Sequence, residues 1–298
     1  MSNPTATDTI WWGADTASDF RGFSPLFASH YGNLPTFVGR YVNNYVPDAA
    51  ELAWYGANHI ARLLICNSEQ GNTSNGDYSE GFLLGAQAAA AASKMGYPKK
   101  CYLPVDIEAT FLLSSAFLVG YFHGADQGGY TPGAYLNVLN PNHTSAWIVA
   151  RAQYSLPAYI YSSEPEPTAI WDAVQPAWFD FSQSDLGKAY AADVIVWQYG
   201  EGELGGSVDL DVANDTGYHL MWGADPLPPT VHKVLHKAAL KQFPNHVCPA
   251  ALGANGKPLP PLAVGTVVVP TGKRTPHWSE YTLPKTPIHG WLLAADVS

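Results

Sequence analysis

Eight short apolar segments with strand character recur between Ile10 and Val212, and most are separated by stretches long enough for a helix. They are Ile10–Ala14, Thr36–Val42, Ile60–Cys66, Lys100–Glu108, Gly133–Val138, Ala158–Tyr161, Val194–Tyr199 and Val208–Val212. Helical patterns fall between them, at Ala49–Gly56, Tyr78–Met95, Ser114–His123 and His143–Gln153. The clearest is Tyr78–Met95: its core from Ala86 to Ala92 is made of strong helix formers, Asp77 or Ser79 can cap it, and Gly96 and Pro98 end it. Strand–helix alternation predicts an α/β fold with a parallel sheet, and eight units predict a closed (β/α)8 barrel of the TIM type. The link Gly200–Ser207 is too short for a crossover helix. The last unit is therefore irregular, or the last two strands pair antiparallel.

The pattern changes after Trp222. Pro226-Leu227-Pro228-Pro229 reads as a stiff linker. Val231–Phe243, with His232, Lys233, His236, Lys237 and Lys241, reads as a short basic amphipathic helix. Val264–Val269 and Gly290–Leu293 read as short β segments. The predicted division is a barrel over residues 1–224, then a linker helix and small β-rich module over 225–298.

A chain of 298 residues that is 47% hydrophobic can bury a large core. Its net charge of −10, with only 13% charged residues, argues against binding nucleic acid or an anionic membrane surface through phosphate neutralisation. The 10 Trp and 17 Tyr supply flat apolar faces with polar edges, which suit sugars, although most must serve the core. Cys66, Cys101 and Cys248 form neither a disulfide framework nor a metal-binding spacing. Cys66 and Cys101 lie in apolar runs and are expected to be buried. Met1–Thr9 lacks the basic and apolar regions of a signal peptide. Synthesis in the cytoplasm is expected, followed by action on a cell wall or release by a non-standard route.

Acids mark the strand ends. In Tyr102-Leu103-Pro104-Val105-Asp106-Ile107-Glu108 an apolar run finishes in two carboxylates spaced i, i+2, which places both on one face of an extended chain. Asp15 closes the first strand, and Asp209 and Asp211 lie on the eighth. Barrel chemistry is built at the C-terminal strand ends, so these acids are expected to share one cleft. Crowding should keep one carboxyl protonated while another stays ionised, the division of labour that glycoside hydrolysis needs. Some of the acids would instead pair with Arg40. The same five carboxylates would also suit a hard cation. His30, His59 and His123 lie at unrelated spacings and do not read as ligands, so no metal or cofactor is expected.

Trp12-Gly13-Ala14-Asp15-Thr16-Ala17-Ser18 resembles the opening strand of family 25 glycoside hydrolases, the N-acetylmuramidase lysozymes. Val105-Asp106-Ile107-Glu108 resembles their D-x-E strand, and Trp197-Gln198-Tyr199 with Val208-Asp209-Leu210-Asp211 resembles their closing W-Q-Y and D-x-N strands. The likeness spans roughly residues 10–220. It is closer still to a related glycoside-hydrolase-like domain family with an Ala-rich helix, then Gly-Tyr-Pro, then the acidic strand, as in Ala88 to Glu108. The resemblance implies Glu108 as general acid and Asp106 as its companion, with Asp15 and Asp209 supporting the pair. It implies Arg40, Trp197, Gln198, Tyr199 and Asp211 as substrate contacts. Asp211 replaces the lysozyme Asn and is expected to add a negative charge; Asn137 and Tyr161, at the fifth and sixth strand tips, depart from the pattern. The implied partner is the glycan strand of peptidoglycan, attacked by a monomer. A glycan-binding barrel without turnover is the alternative. Gly265–Val269 and Gly290–Leu292 resemble an SH3-like wall-binding module, an arrangement that would suit a phage-type endolysin.

Overall fold

In a computed structural model, the described residues are 10–68, 73–165, 177–202 and 208–224, with the backbone of four strands further on. The chain forms two compact units, Met1–Asp225 and Pro226–Ser298.

The first unit is α/β, with eight strands in one nearly closed barrel: β1 (Trp11–Asp15), β2 (Phe37–Tyr41), β3 (Ala61–Ile65), β4 (Tyr102–Asp106), β5 (Thr131–Leu136), β6 (Tyr159–Ser162), β7 (Val194–Gly202) and β8 (Val208–Ala213). Their order is β3-β2-β1-β8-β7-β6-β5-β4. One parallel bridge joins the ends of this sheet, where Cys66 N–H donates to the Pro104 carbonyl (2.8 Å) and Asp106 N–H to the Cys66 carbonyl (2.9 Å).

This barrel is only loosely TIM-like. β8 runs antiparallel to both neighbours, β1 and β7, because the link between Gly202 and Val208 is too short for a crossover helix. The chain then continues from β8 past the opposite end of the barrel. There α7 (Asp215–His219) stacks Tyr218 on Trp11 with centroids 4.0 Å apart. The Leu220 carbonyl accepts from Tyr102 N–H (2.7 Å), and Trp222 exchanges two bonds with Arg62 (2.9 and 3.0 Å). That segment closes the floor beneath β3 and β4.

The helices before it are α1 (Ser24–Tyr31), α2 (Ala49–Ala57), α3 (Tyr78–Lys94), α4 (Ser115–Gln127), α5 (Pro141–Gln153) and the one-turn α6 (Gly187–Tyr190). Asp77 caps α3 in a reciprocal box: its carboxylate accepts from Ser79 and Glu80 N–H, and Glu80 accepts from Asp77 N–H (2.9 Å). Helices α3 and α4 touch backbone to backbone. A Cβ on Gly81 or Gly85 would lie 2.0 or 2.4 Å from the carbonyls of Phe117 and Tyr121, and one on Gly120 or Gly124 would meet those of Tyr78 and Phe82.

Two apolar layers result from the two-residue period of the strands. Phe37, Leu63, Tyr102 and Tyr159 belong to the barrel-interior cluster, while Ala14, Val38, Leu64 and Val105 pack in the larger cluster that includes the helices. Gly13 leaves room for the Phe37 ring and Gly133 for that of Tyr102; a Cβ at either would sit 2.3 Å from ring carbons. No described helix is long and apolar enough to cross a membrane.

The second unit contains an antiparallel sheet of order β12-β11-β10-β9, with β9 (His232–Lys233), β10 (Val267–Thr275), β11 (Trp278–Thr282) and β12 (His289–Leu293). The expected helix over 231–243 is corrected at its start: His232 and Lys233 pair with Val268 and Val267 as strand. The rest of that stretch, like the linker 226–229 and Cys248, lies outside the described residues.

Candidate active site

Strand parity gathers the acids. Asp15, Tyr41, Ile65 and Asp106 are the last residues of β1 to β4 and share a cavity of about 80 Å³ with Tyr135, Tyr161 and Gln198 from β5 to β7. Gly39 leaves the space that Asp15 fills; a Cβ there would lie 2.5 Å from the Asp15 Cβ. β8 contributes through its beginning. Running antiparallel, it brings its N-terminal residues to the end where the other strands finish, with Asp209 directly opposite Asp15 and Asp211 opposite Gly13. The expected carboxylates therefore do converge, but the eighth strand delivers its pair from the other direction.

β4 ends at Asp106, so Glu108 lies two residues beyond the strand instead of inside it. The extended path continues one step further, since Ile107 N–H donates to the Tyr135 carbonyl (2.9 Å). Glu108 still lines the cavity and is exposed, whereas Asp106 is buried. Glu201 and Asp209 complete the lining. None of the described lining residues is a cation.

The Tyr161 hydroxyl joins two of the acids, 2.5 Å from Asp15 Oδ2 and 2.7 Å from Asp211 Oδ1. A hydroxyl has one hydrogen and donates to one acceptor. The second short contact needs a hydrogen on a carboxyl, so this buried group holds a proton beyond that of the phenol. Its electrostatics agree. Burial first, then the Asp209 and Glu108 charges, push the Asp15 carboxyl up to about 8 against an opposing Tyr161 hydrogen bond. Burial first, then Asp15, pushes Asp211 well above the carboxylate range. Asp211 was expected to add a charge to the cleft; its surroundings keep it neutral, as Asn would be. Burial, followed by the carboxylate charges, also raises Tyr41, Tyr135 and Tyr161, which stay protonated hydrogen-bond donors. Tyr41 reaches Asp106 Oδ2 at 3.4 Å.

Three expected substrate contacts are not at this cavity. Arg40 has the parity opposite to Tyr41 and is only 2% exposed. Its guanidinium donates to both Glu51 carboxylate oxygens (2.9 and 3.2 Å) and to the Thr16 carbonyl (2.5 Å), while Tyr55 donates to Glu51 (2.6 Å). It anchors α2 to β2. Trp197 and Tyr199 flank Gln198 on the outer face of β7. Trp197 donates to the Pro165 carbonyl (2.8 Å) among Trp178, Phe179 and Phe181, and Tyr199 accepts from Trp12 Nε1 (2.7 Å). Tyr41, Tyr135 and Tyr161 were missed as site residues, although each is a strand-end aromatic of the same parity as the acids.

Among the described residues, no three His, Cys, Asp or Glu side chains are gathered closely enough to hold a metal ion. Cys66 and Cys101 are buried free thiols, pushed up by burial to about 12 and about 11.

No family model and no curated protein matches the chain. An uncharacterized protein of B. stearothermophilus is similar in structure, with a TM-score of 0.63 at 22% identity over 71% of this chain and 100% of that one. At this identity the likeness shows the fold alone. A Tat-secreted protein of Mycobacterium tuberculosis in complex with L-tartrate (TM-score 0.42, 14% identity, 68% of this chain and 95% of that one) and a muramidase from Acremonium alcalophilum (0.40, 14%, 70% and 96%) are more distant.

Proposed function

We propose that the barrel is a glycoside hydrolase of lysozyme type that cleaves the glycan strand of peptidoglycan. The observation that carries this reading is the convergence of Asp15, Asp106, Glu108 and Asp209 in one tyrosine-lined cavity without a described cation. A cavity of about 80 Å³ is far below the ~300–1,000 Å³ of pockets that enclose a ligand. The sugar therefore lies across the mouth, where Glu108 and Glu201 are the exposed acids, and the buried acids act on it from below.

In this mechanism Glu108 gives its proton to the glycosidic oxygen as the bond to the anomeric carbon breaks. Asp106 faces the positive charge that develops on the ring. A water oxygen then bonds to the anomeric carbon and its released proton returns to a carboxylate. Tyr41 positions Asp106. Gln198 offers an amide to the ring hydroxyls. The protein works as a monomer, and the unit Pro226–Ser298 holds the barrel to the wall.

Glu108→Gln in the full chain is the test, with release of reducing ends from defined peptidoglycan and mass analysis of the products. The expected result is loss of turnover by at least ~100-fold, the lower range for a general acid, with an unchanged circular dichroism spectrum. A variant as active as the parent would remove Glu108 from the mechanism. A second reading, a barrel that binds glycan without cutting it, draws on the small acid cavity. Saccharide binding by the parent with no reducing ends released would establish that one instead.

A further inference from the structure

A second, larger cavity opens at the same end of the barrel. Its volume is about 380 Å³, and its walls are Asn43 and Asn44 after β2, Asn67 and Ser68 after β3, and Leu83, Leu84 and Gln87 on α3. Unlike the acid cavity, it falls within the ~300–1,000 Å³ range of ligand pockets. The two are neighbours. Ser68 Oγ donates to the main-chain carbonyl of Asp106, and Asn43 lies two residues beyond Tyr41.

The wall is built and largely neutral. Asn43 and Asn67 are pinned to one another: Asn43 Nδ2 donates to the Asn67 carbonyl (2.7 Å), and Asn67 N–H donates to Asn43 Oδ1 (2.8 Å). Glu80, the one described carboxylate lining it, accepts from Asp77 N–H in the α3 cap. Asn44 and Gln87 present amides, which both donate and accept, as ring hydroxyls and an acetamido group require. Leu83, 58% exposed, and Leu84 give an apolar strip for a methyl group or the C–H face of a pyranose. With no cation among the described lining residues, Glu80 in the wall and the acid cavity alongside, an anionic ring would be disfavoured there.

We infer that this cavity is a saccharide subsite for an uncharged N-acetylhexosamine next to the sugar at the acid cavity. The inference rests on the proposed function: one cavity supplies the acids, and its neighbour supplies the grip on the adjoining ring. Binding should then depend on glycan length and on Leu83 and Asn44, neither of which touches the acid cavity.

The experiment titrates N-acetylglucosamine oligomers of one to four rings by calorimetry into the full chain carrying Glu108→Gln, with and without Leu83→Trp or Asn44→Ala. Leu83 is exposed enough for a bulkier ring to be tolerated in the fold while it fills the cavity. The expected result is an affinity that rises with length, with Leu83→Trp and Asn44→Ala each costing the tetramer at least about tenfold, equivalent to ~1.4 kcal/mol. The length dependence should flatten. Length-dependent binding that both variants leave unchanged would overturn the subsite and leave the proposed function standing. If no oligomer binds the Glu108→Gln chain, the subsite falls; the proposed function falls separately if the parent releases no reducing ends from defined peptidoglycan.

Discussion

Replacing Asp211 with Asn probes the proton held between Asp15, Tyr161 and Asp211. The amide of the variant would offer an N–H where the protonated carboxyl now supplies its hydrogen, so the contacts with Tyr161 and Asp15 persist with one proton fewer. In the unfolded chain Asp211 titrates near its ordinary value of 3.8; in the fold it is raised well above that. A folded state that keeps a proton the unfolded state releases loses stability as pH rises, by ~1.4 kcal/mol per pH unit for one proton. The pair's contribution is complete below pH 4 and declines for as long as the fold keeps a proton that the unfolded chain has released. The loss accumulates with each pH unit above 3.8. Asp211→Asn avoids it. Urea denaturation followed by tryptophan fluorescence, repeated at each half unit from pH 4 to 7, should show the variant gaining on the parent by ~1.4 kcal/mol per unit. Parallel stability–pH curves would refute the retained proton and, with it, the neutral state assigned to Asp211.

Gly120→Ala should destabilise the barrel by at least ~2 kcal/mol, because its Cβ would lie 2.0 Å from the Tyr78 carbonyl and force α3 and α4 apart. Gly22→Ala, with nothing within 4 Å of the new methyl, is the matched control, and both are measured by the same denaturation. Arg40→Met strands the buried Glu51 carboxylate and should cost ~3–5 kcal/mol in stability. Its saccharide affinity, measured by calorimetry where it is folded, should stay that of the parent, since Arg40 is not at the acid cavity. Thiol alkylation with mass mapping at pH 8 should leave Cys66 and Cys101 unmodified until the chain is unfolded, because both are buried and their thiols titrate far higher.

Much of the site was legible because a strand alternates its side chains with a period of two. Asp106 could be read as a strand-end acid, and Asp15 likewise. The same parity argument, applied to Trp197-Gln198-Tyr199, selects the middle residue alone or its two neighbours alone, never all three. The family pattern names all three, and only Gln198 faces the acids. Arg40 next to Tyr41 is the same case: a charged residue near a strand end looks like a ligand contact until its partner, Glu51 on α2, is seen. The close approach of α3 and α4 also had a sequence signal, glycines four apart at Gly81 and Gly85 and again at Gly120 and Gly124, the spacing that lets two helix backbones touch.

By itself, the sequence determined the strands, most of the helices and the parity of the acids, since these follow from local periodicity and caps. The direction of β8 was decided only by the tertiary structure. A short link forbids a crossover helix but does not say which neighbour the returning strand will find. Insertion between β1 and β7 sets Asp209 against Asp15 and brings Asp211 within reach of Tyr161 from a strand on the far side of β7. The retained proton exists because those three groups are buried together, and no stretch of the chain contains all of them.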